Sequence, residues 1–267
     1  MMRNFCLAAL DLDDTLFDAH GTLTEASRAA LSACAAHGIV LVIASGRPYA
    51  ALPHEILTLP GVSWAITSNG AAVLEHGIVR ARFCLPPEAA EEILSRFSGE
   101  TLECVVDGWP YCEKSYLDAL PPGARADYLR RTRLPAPSTA ALIDSHRNRL
   151  DAVNIYVRDE AHRSACLARA AALPGLYVTS SSPHLVEISD RRAGKDAALR
   201  FVCKQLGIPL SDTAAFGNGD NDAAMLRAAG LGVAVANATP ACLAAADHIC
   251  PPNEEDGVAE TLLKLLK

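Results

Sequence analysis

Short apolar runs rich in Val, Ile, Leu and Ala alternate with helix-patterned stretches at both ends of this 267-residue chain. That alternation is the signature of parallel strands joined by crossover helices. "FCLAALDLD" reads as a buried strand, and "LTEASRAALSACAAHG" as the helix after it. Thr24 is its N-cap, Ala30, Leu31, Cys34 and Ala35 form its apolar stripe, and Gly38 is its stop. "IVLVIAS" is a second strand, "YAALPHEILTL" a short helix interrupted at Pro53, and "VSWAITSNG" a third strand. The rhythm returns in the helix "KDAALRFVCKQLG", the strand "TAAFG", the helix "DAAMLRAAG", the strand "LGVAVA" and the last helix "GVAETLLKLLK". Both ends therefore belong to one doubly wound parallel sheet, and the fold class is α/β.

The middle of the chain has a different texture. "LECVVDGWPYCEK" holds two β-rich runs around Asp107-Gly108, a hairpin signal. A Pro-rich helical segment follows, then "AVNIYVR", the helix "EAHRSACLARAAA" and the runs "LYVTSS" and "HLVEI". The sequence thus predicts a core domain from residues 1–83 and 190–267, with an α+β domain inserted at 84–189. A formal net charge of −7 leaves no large basic face, and "YLRRTR" and "SHRNR" are short and interrupted, so nucleic acid is not an expected partner. The nine cysteines are odd in number, show no CxxC spacing and sit mostly in apolar runs; they read as reduced core residues of a cytoplasmic protein. No run approaches the roughly 20 apolar residues of a membrane span, and the first strand is too short for a signal peptide, so no membrane partner is expected.

The first strand ends in carboxylates: "CLAALDLDDTLFD" places Asp11, Asp13 and Asp14 where a sheet meets its first loop. In open parallel sheets the carboxyl ends of strands build the ligand site. Two-residue alternation sets Asp11 and Asp13 on one side, where crowded carboxylates call for a cation or a shared proton. With a divalent metal neutralising part of the charge, one carboxylate can attack an electrophile while the other moves a proton. Asp14 or Thr15 can equally be a plain N-cap. A calcium loop is excluded, because Leu16 stands where it requires Gly and Thr22 where it requires Glu. A D-x-D pair holding a cation against phosphates in a glycosyl-transferring enzyme remains an alternative at this point.

Three further segments carry polar groups at other strand ends. "VIASGRP" brings Ser45 and Gly46, a hydroxyl and a backbone N–H suited to phosphate oxygens; "RRAGKDAAL" sets Lys195 at the opening of a helix; "AFGNGDNDAAML" adds further acids and amides. In these motifs, with "SNGA" and "EEDGVAETL", the chain resembles the haloacid dehalogenase-like phosphohydrolases, and most closely their Cof-type sugar-phosphate phosphatase branch, nearly end to end. The resemblance implies a Rossmann-like core, a cap domain in place of the insertion, and a Mg²⁺-dependent phosphatase acting on a small phosphorylated metabolite through an aspartyl-phosphate. It makes Asp11 the nucleophile and Asp13 the acid and base, the latter protonated for part of the cycle. Ser45, Gly46, Lys195 and Asn221 would hold phosphate, and Asp11, Asp13, Asn218 and Asp222 the metal. Asn218 stands where that branch carries a metal-binding Asp, so one negative charge is missing and Asp220 or Asp222 would have to compensate. Arg47 is either a cleft cation or an inter-domain ion-pair residue. A phosphomutase on hexose phosphates and a non-catalytic metabolite-binding protein are the alternatives. Neither the substrate nor the oligomeric state is written in the sequence.

Overall fold

In the computed structural model, which describes residues 5–267, the chain divides into two compact units. One comprises the chain up to Gly46, Pro53–Ala81 and Gly194–Lys267; the other comprises Arg47–Leu52 and Arg82–Ala193. The first unit opens with β1 (Leu7–Leu10), α1 (Glu25–Ala36), β2 (Val40–Ala44), α2 (His54–Leu57), β3 (Val62–Thr67), β4 (Ala72–Glu75) and β5 (Ile78–Arg82). Every residue of β1 is buried, as a central strand covered on both faces requires. Thr24 caps α1 by accepting the Ser27 N–H at 3.1 Å. The stretch read as a short helix interrupted at Pro53 is divided there into a single turn, Tyr49–Ala51, and α2. Proline at 53 allows a helix to begin after it but not to run through it. β4 and β5 lacked a periodic signal strong enough to predict; β4 runs antiparallel to β3.

The second unit contains α3 (Pro87–Arg96), β6 (Thr101–Val106), β7 (Trp109–Glu113), α4 (Lys114–Ala119), α5 (Ala124–Thr132), β8 (Leu134–Ala136), α6 (Thr139–Ser145), β9 (Leu150–Tyr156), α7 (Glu160–Ala171), β10 (Leu176–Ser182) and β11 (Leu185–Asp190). Its six strands lie in the order β10-β11-β9-β6-β7-β8. The expected hairpin is present: Val106 pairs with Trp109 across Asp107-Gly108, with Asp107 at φ 50°. One sheet face is apolar, with Leu102, Cys104, Val153, Ile155, Val186 and Ile188 packed on Ile93, Ile143 and Cys166. Arg47–Leu52, expected with the core, groups here: the Ala50 N–H donates to Gly108 O at 3.1 Å and the Arg47 guanidinium lies 4.9 Å from the Tyr128 ring centroid.

The opposite sheet face carries a buried polar row. Glu103, Asn154 and Glu187 are cross-strand neighbours on β6, β9 and β11. Glu103 is fully buried and accepts hydrogen bonds from Arg133 Nε at 2.7 Å, from Asn154 Nδ2 at 2.9 Å and from the Tyr156 hydroxyl. Burial alone would lower the Arg133 pKa, but Glu103 outweighs it and holds the guanidinium well above its ordinary value.

After the second unit the chain forms α8 (Lys195–Leu206), β12 (Thr213–Gly217), α9 (Ala223–Ala228), β13 (Leu231–Val235), α10 (Pro240–Leu243), β14 (His248–Cys250) and α11 (Gly257–Leu265). The eight-stranded sheet of the first unit has the order β14-β13-β12-β1-β2-β3-β4-β5. Every pairing from β14 to β3 is parallel. Strand order therefore reverses between β1 and β12, and a crevice opens at their carboxyl ends, where side chains of both can meet. Leu199, Val202 and Cys203 of α8 pack on Ala9, Val42, Trp64 and Ile66; each fully buried large aliphatic side chain contributes about 1.5–3 kcal/mol.

Removing one partner of a buried ion pair leaves the other uncompensated. Arg133→Met is expected to lower unfolding free energy by about 3–5 kcal/mol, measured by urea denaturation; a loss below about 1 kcal/mol would mean that Asn154 and Tyr156 suffice to hold the Glu103 carboxylate.

Candidate active site

Asp11 is the first residue beyond β1, 5% exposed, and its backbone N–H donates to Phe216 O of β12 at 3.1 Å, which fixes it at the switch point. Strand alternation does not extend to Asp13. The chain turns at Leu12–Leu16, with Asp14 left-handed at φ 54°, and Asp13 is exposed on that turn. Neither Asp14 nor Thr15 caps a helix. The Thr15 hydroxyl instead donates to Asp11 Oδ2 at 2.8 Å. This contact was absent from the sequence reading, although "DxDxT" already sets the two side chains one turn apart.

Lys195 is the first residue of α8 and has no exposed surface. Its Nζ donates to Asp11 Oδ1 at 2.7 Å and to Asp222 Oδ1 at 2.6 Å. Desolvation opposes its charge, but the two carboxylates outweigh that and raise its pKa above the lysine range. The carboxylates remain in excess. Burial and the Asp222 charge push Asp11 up to about 7, with Lys195 pulling the other way. Such a surplus at an all-oxygen donor set is the environment a hard divalent cation fits.

The loop after β12 is organised by Asp222. It is fully buried, and its Oδ2 accepts the N–H groups of Asn218 at 3.0 Å and Gly219 at 2.9 Å, while Oδ1 takes Lys195. Asp222, expected among the metal ligands, thus also meets the lysine and the amides of its own loop. A side chain at Gly217 would stand 2.5 Å from Asp222 Cβ, so the close approach depends on glycine. Asn218 is half-buried and its carbonyl accepts the Thr239 N–H at 2.8 Å, while Asp220 is exposed and accepts the Thr239 hydroxyl at 2.7 Å. Asn221 is buried, and its Nδ2 donates to Asn69 Oδ1 at 2.9 Å.

Of the residues expected in the site, the hydrogen bonds bring Asp11, Lys195 and Asp222 into one cluster. Ser45 is buried just past β2 and reaches Asn221 through Asn69, whose N–H donates to Ser45 O at 3.2 Å. Gly46 follows it, and is the last residue of that stretch of the first unit. Asn69 itself was missed: "SNGA" was visible as a strand end, but nothing in its spacing marks the asparagine as a link.

A charged, largely buried cluster at the switch point of an open α/β sheet has the arrangement of an active site. Residues 8–262 match the model of the haloacid dehalogenase-like hydrolases, and the chain belongs to that family; by class it is a phosphoric monoester hydrolase. The phosphatase YwpJ of Bacillus subtilis is 29% identical over 97% of this chain and 99% of its own length. The 5-amino-6-(5-phospho-D-ribitylamino)uracil phosphatase YcsE of the same organism is 25% identical over 96% and 94%. A solved haloacid dehalogenase-like hydrolase from B. subtilis superposes with a TM-score of 0.84 at 27% identity, covering 97% of this chain and 99% of that one.

Lys195→Met leaves two buried carboxylates facing each other. It is expected to lower unfolding free energy by about 3–5 kcal/mol at neutral pH, as read by denaturant titration of the metal-free protein.

Proposed function

We propose that the protein is a cytoplasmic, Mg²⁺-dependent phosphatase that hydrolyses a small phosphomonoester, a sugar phosphate or similar metabolite, through an aspartyl-phosphate on Asp11. The observation that carries this reading is the Asp11 carboxylate at the switch point, oriented by Thr15 on one oxygen and Lys195 on the other. An oxygen of Asp11 attacks phosphorus in line with the ester oxygen. As the P–O bond to the leaving group breaks, Asp13 donates its proton to the departing alkoxide. Asp13, now a carboxylate, takes a proton from water; the water oxygen attacks phosphorus, the acyl-phosphate P–O bond breaks, and Asp11 and inorganic phosphate are restored. Exposure of Asp13 on its turn suits a group that exchanges protons with substrate and solvent.

Phosphoryl transfer asks for positioning and for neutralisation of charge on the phosphoryl oxygens. Lys195, Ser45, the Gly46 amide and Asn221 are proposed to supply this. Asp11, Asp13, Asn218 and Asp222 would hold Mg²⁺, with Asp222 also positioning Lys195 and the Asn218 loop. When bound, the cation would offset the carboxylate surplus, favour the ionised form of Asp11 and screen phosphate charge. Asn218 brings an amide oxygen where a carboxylate would bring charge, which Asp222, or Asp220 through the oxygen that Thr239 does not engage, would offset. The second unit is proposed as the cap that selects the leaving group. YcsE acts on a phosphorylated ribityl compound, which favours a small polyol-like ester here. Nine free cysteines and the absence among the described residues of any helix long and apolar enough to cross a membrane fit a cytoplasmic location.

Purified protein with Mg²⁺ is expected to release inorganic phosphate from members of a panel of phosphorylated metabolites. Asp11→Asn should abolish that release, and Asp13→Asn should slow it by about 10²–10⁴-fold; phosphate moved between positions of a hexose phosphate without release would indicate a mutase. Asn218→Asp is expected to tighten Mg²⁺ binding on the order of tenfold, as measured by calorimetry on the phosphate-free protein. Unchanged affinity would remove Asn218 from the ligand set.

A further inference from the structure

The turn after β3 is conformationally costly. Ser68, Asn69 and Gly70 have φ values of 47°, 53° and 93°, three successive residues in a region that a serine avoids and that asparagine tolerates better than most. Such strain persists only where the surroundings over-determine it, and it gathers at functional sites. The Ser68 hydroxyl is buried and has no hydrogen-bond partner among the described residues, so it does not hold the turn. Asn69 makes the connections instead. Its N–H donates to Ser45 O at 3.2 Å, its carbonyl accepts the Gly194 N–H at 2.8 Å, and its Oδ1 accepts Asn221 Nδ2 at 2.9 Å. A Cβ on Gly70 would stand 2.3 Å from Gly194 O, so the turn lies backbone to backbone against the residue that precedes Lys195.

One residue therefore ties together the loops that carry Ser45, Lys195 and Asn221, none of them adjacent in sequence. We propose that Asn69 is a positioning residue of the reaction, and that its carboxamide oxygen sets the plane of the Asn221 amide. A primary amide nitrogen has two hydrogens. Asn69 engages one, and the other is thereby aimed for a phosphate oxygen, a role that rests on the assignment of Asn221 to phosphate above. The two backbone bonds of Asn69 hold the Ser45 loop and the start of α8 at fixed separation, and the left-handed backbone is what allows all three bonds from one residue.

Asn69→Gly separates the side chain from the backbone, because glycine adopts the same φ and keeps both backbone bonds while losing Oδ1. The expected result is an unfolding midpoint close to that of the unmodified protein, with kcat/KM lower by about tenfold, the scale of one lost oriented hydrogen bond. The affinity for inorganic phosphate in the presence of Mg²⁺, read by calorimetry, should fall to the same extent. Combined with Asn221→Ala, the change should cost nothing further, because both act through one amide. Unaltered kcat/KM and phosphate affinity in Asn69→Gly, or losses that add fully to those of Asn221→Ala, would overturn the proposal. If the unmodified protein releases phosphate from no ester, the functional reading fails separately, and the phosphate affinities of the unmodified protein and the two single variants still decide the role of Asn69.

Discussion

Burial of one ammonium between two carboxylates is the constraint around which the first unit is arranged. Lys195 has no exposed surface, so its charge is met by Asp11 and Asp222, which follow different strands. The backbone ladder between β1 and β12 sets their spacing, and the lysine at the start of α8 and the tightly packed loop after Gly217 meet across it. A buried charge without partners is too costly to survive. Burial, and after it the charge of Asp222, keep Asp11 reluctant to ionise, with Lys195 pulling the other way.

The second unit solves a related problem by different means. Its sheet is apolar on one face and polar but buried on the other, and Glu103 is satisfied by the Arg133 guanidinium just past α5 and by an amide and a phenol that both lie on β9. Cations of this unit have structural duties. Arg130 donates to the carbonyls of Leu117 and Leu120, joining α5 to α4, and Arg47, a candidate cleft cation in the sequence, stacks on Tyr128. Charge in a motif neighbourhood is thus shared between holding the fold and meeting a ligand.

What the sequence made legible follows from the range of each interaction. Strand and helix order in the first unit was readable because periodicity is local, as was the Asp107-Gly108 hairpin, whose turn chemistry is confined to two residues. Asp11 and Lys195 were readable as site candidates because strand ends and helix starts place functional groups predictably. The engagement of Asp222 was not, since "NGDND" offers several carboxylates in a row and only the fold decides which turns inward. Neither Thr15 nor Asn69 announced itself, because a hydroxyl or an amide becomes important through the partner it finds, and the partner of Asn69 lies 152 positions away. β4 and β5 escaped because short strands at a sheet edge carry little alternation.

The path of the chain between the two units has a practical consequence. Polypeptide passes from one to the other at four places, 46/47, 52/53, 81/82 and 193/194, whereas an ordinary insertion has two. Swapping the corresponding unit of a relative into this protein by splicing at 82 and 193 would leave the native 47–52 excursion facing foreign neighbours, with Ala50 and Arg47 deprived of their matching surfaces. Chimaeras in this lineage are therefore expected to need a six-residue companion graft, and libraries that recombine at two junctions alone will under-represent functional hybrids.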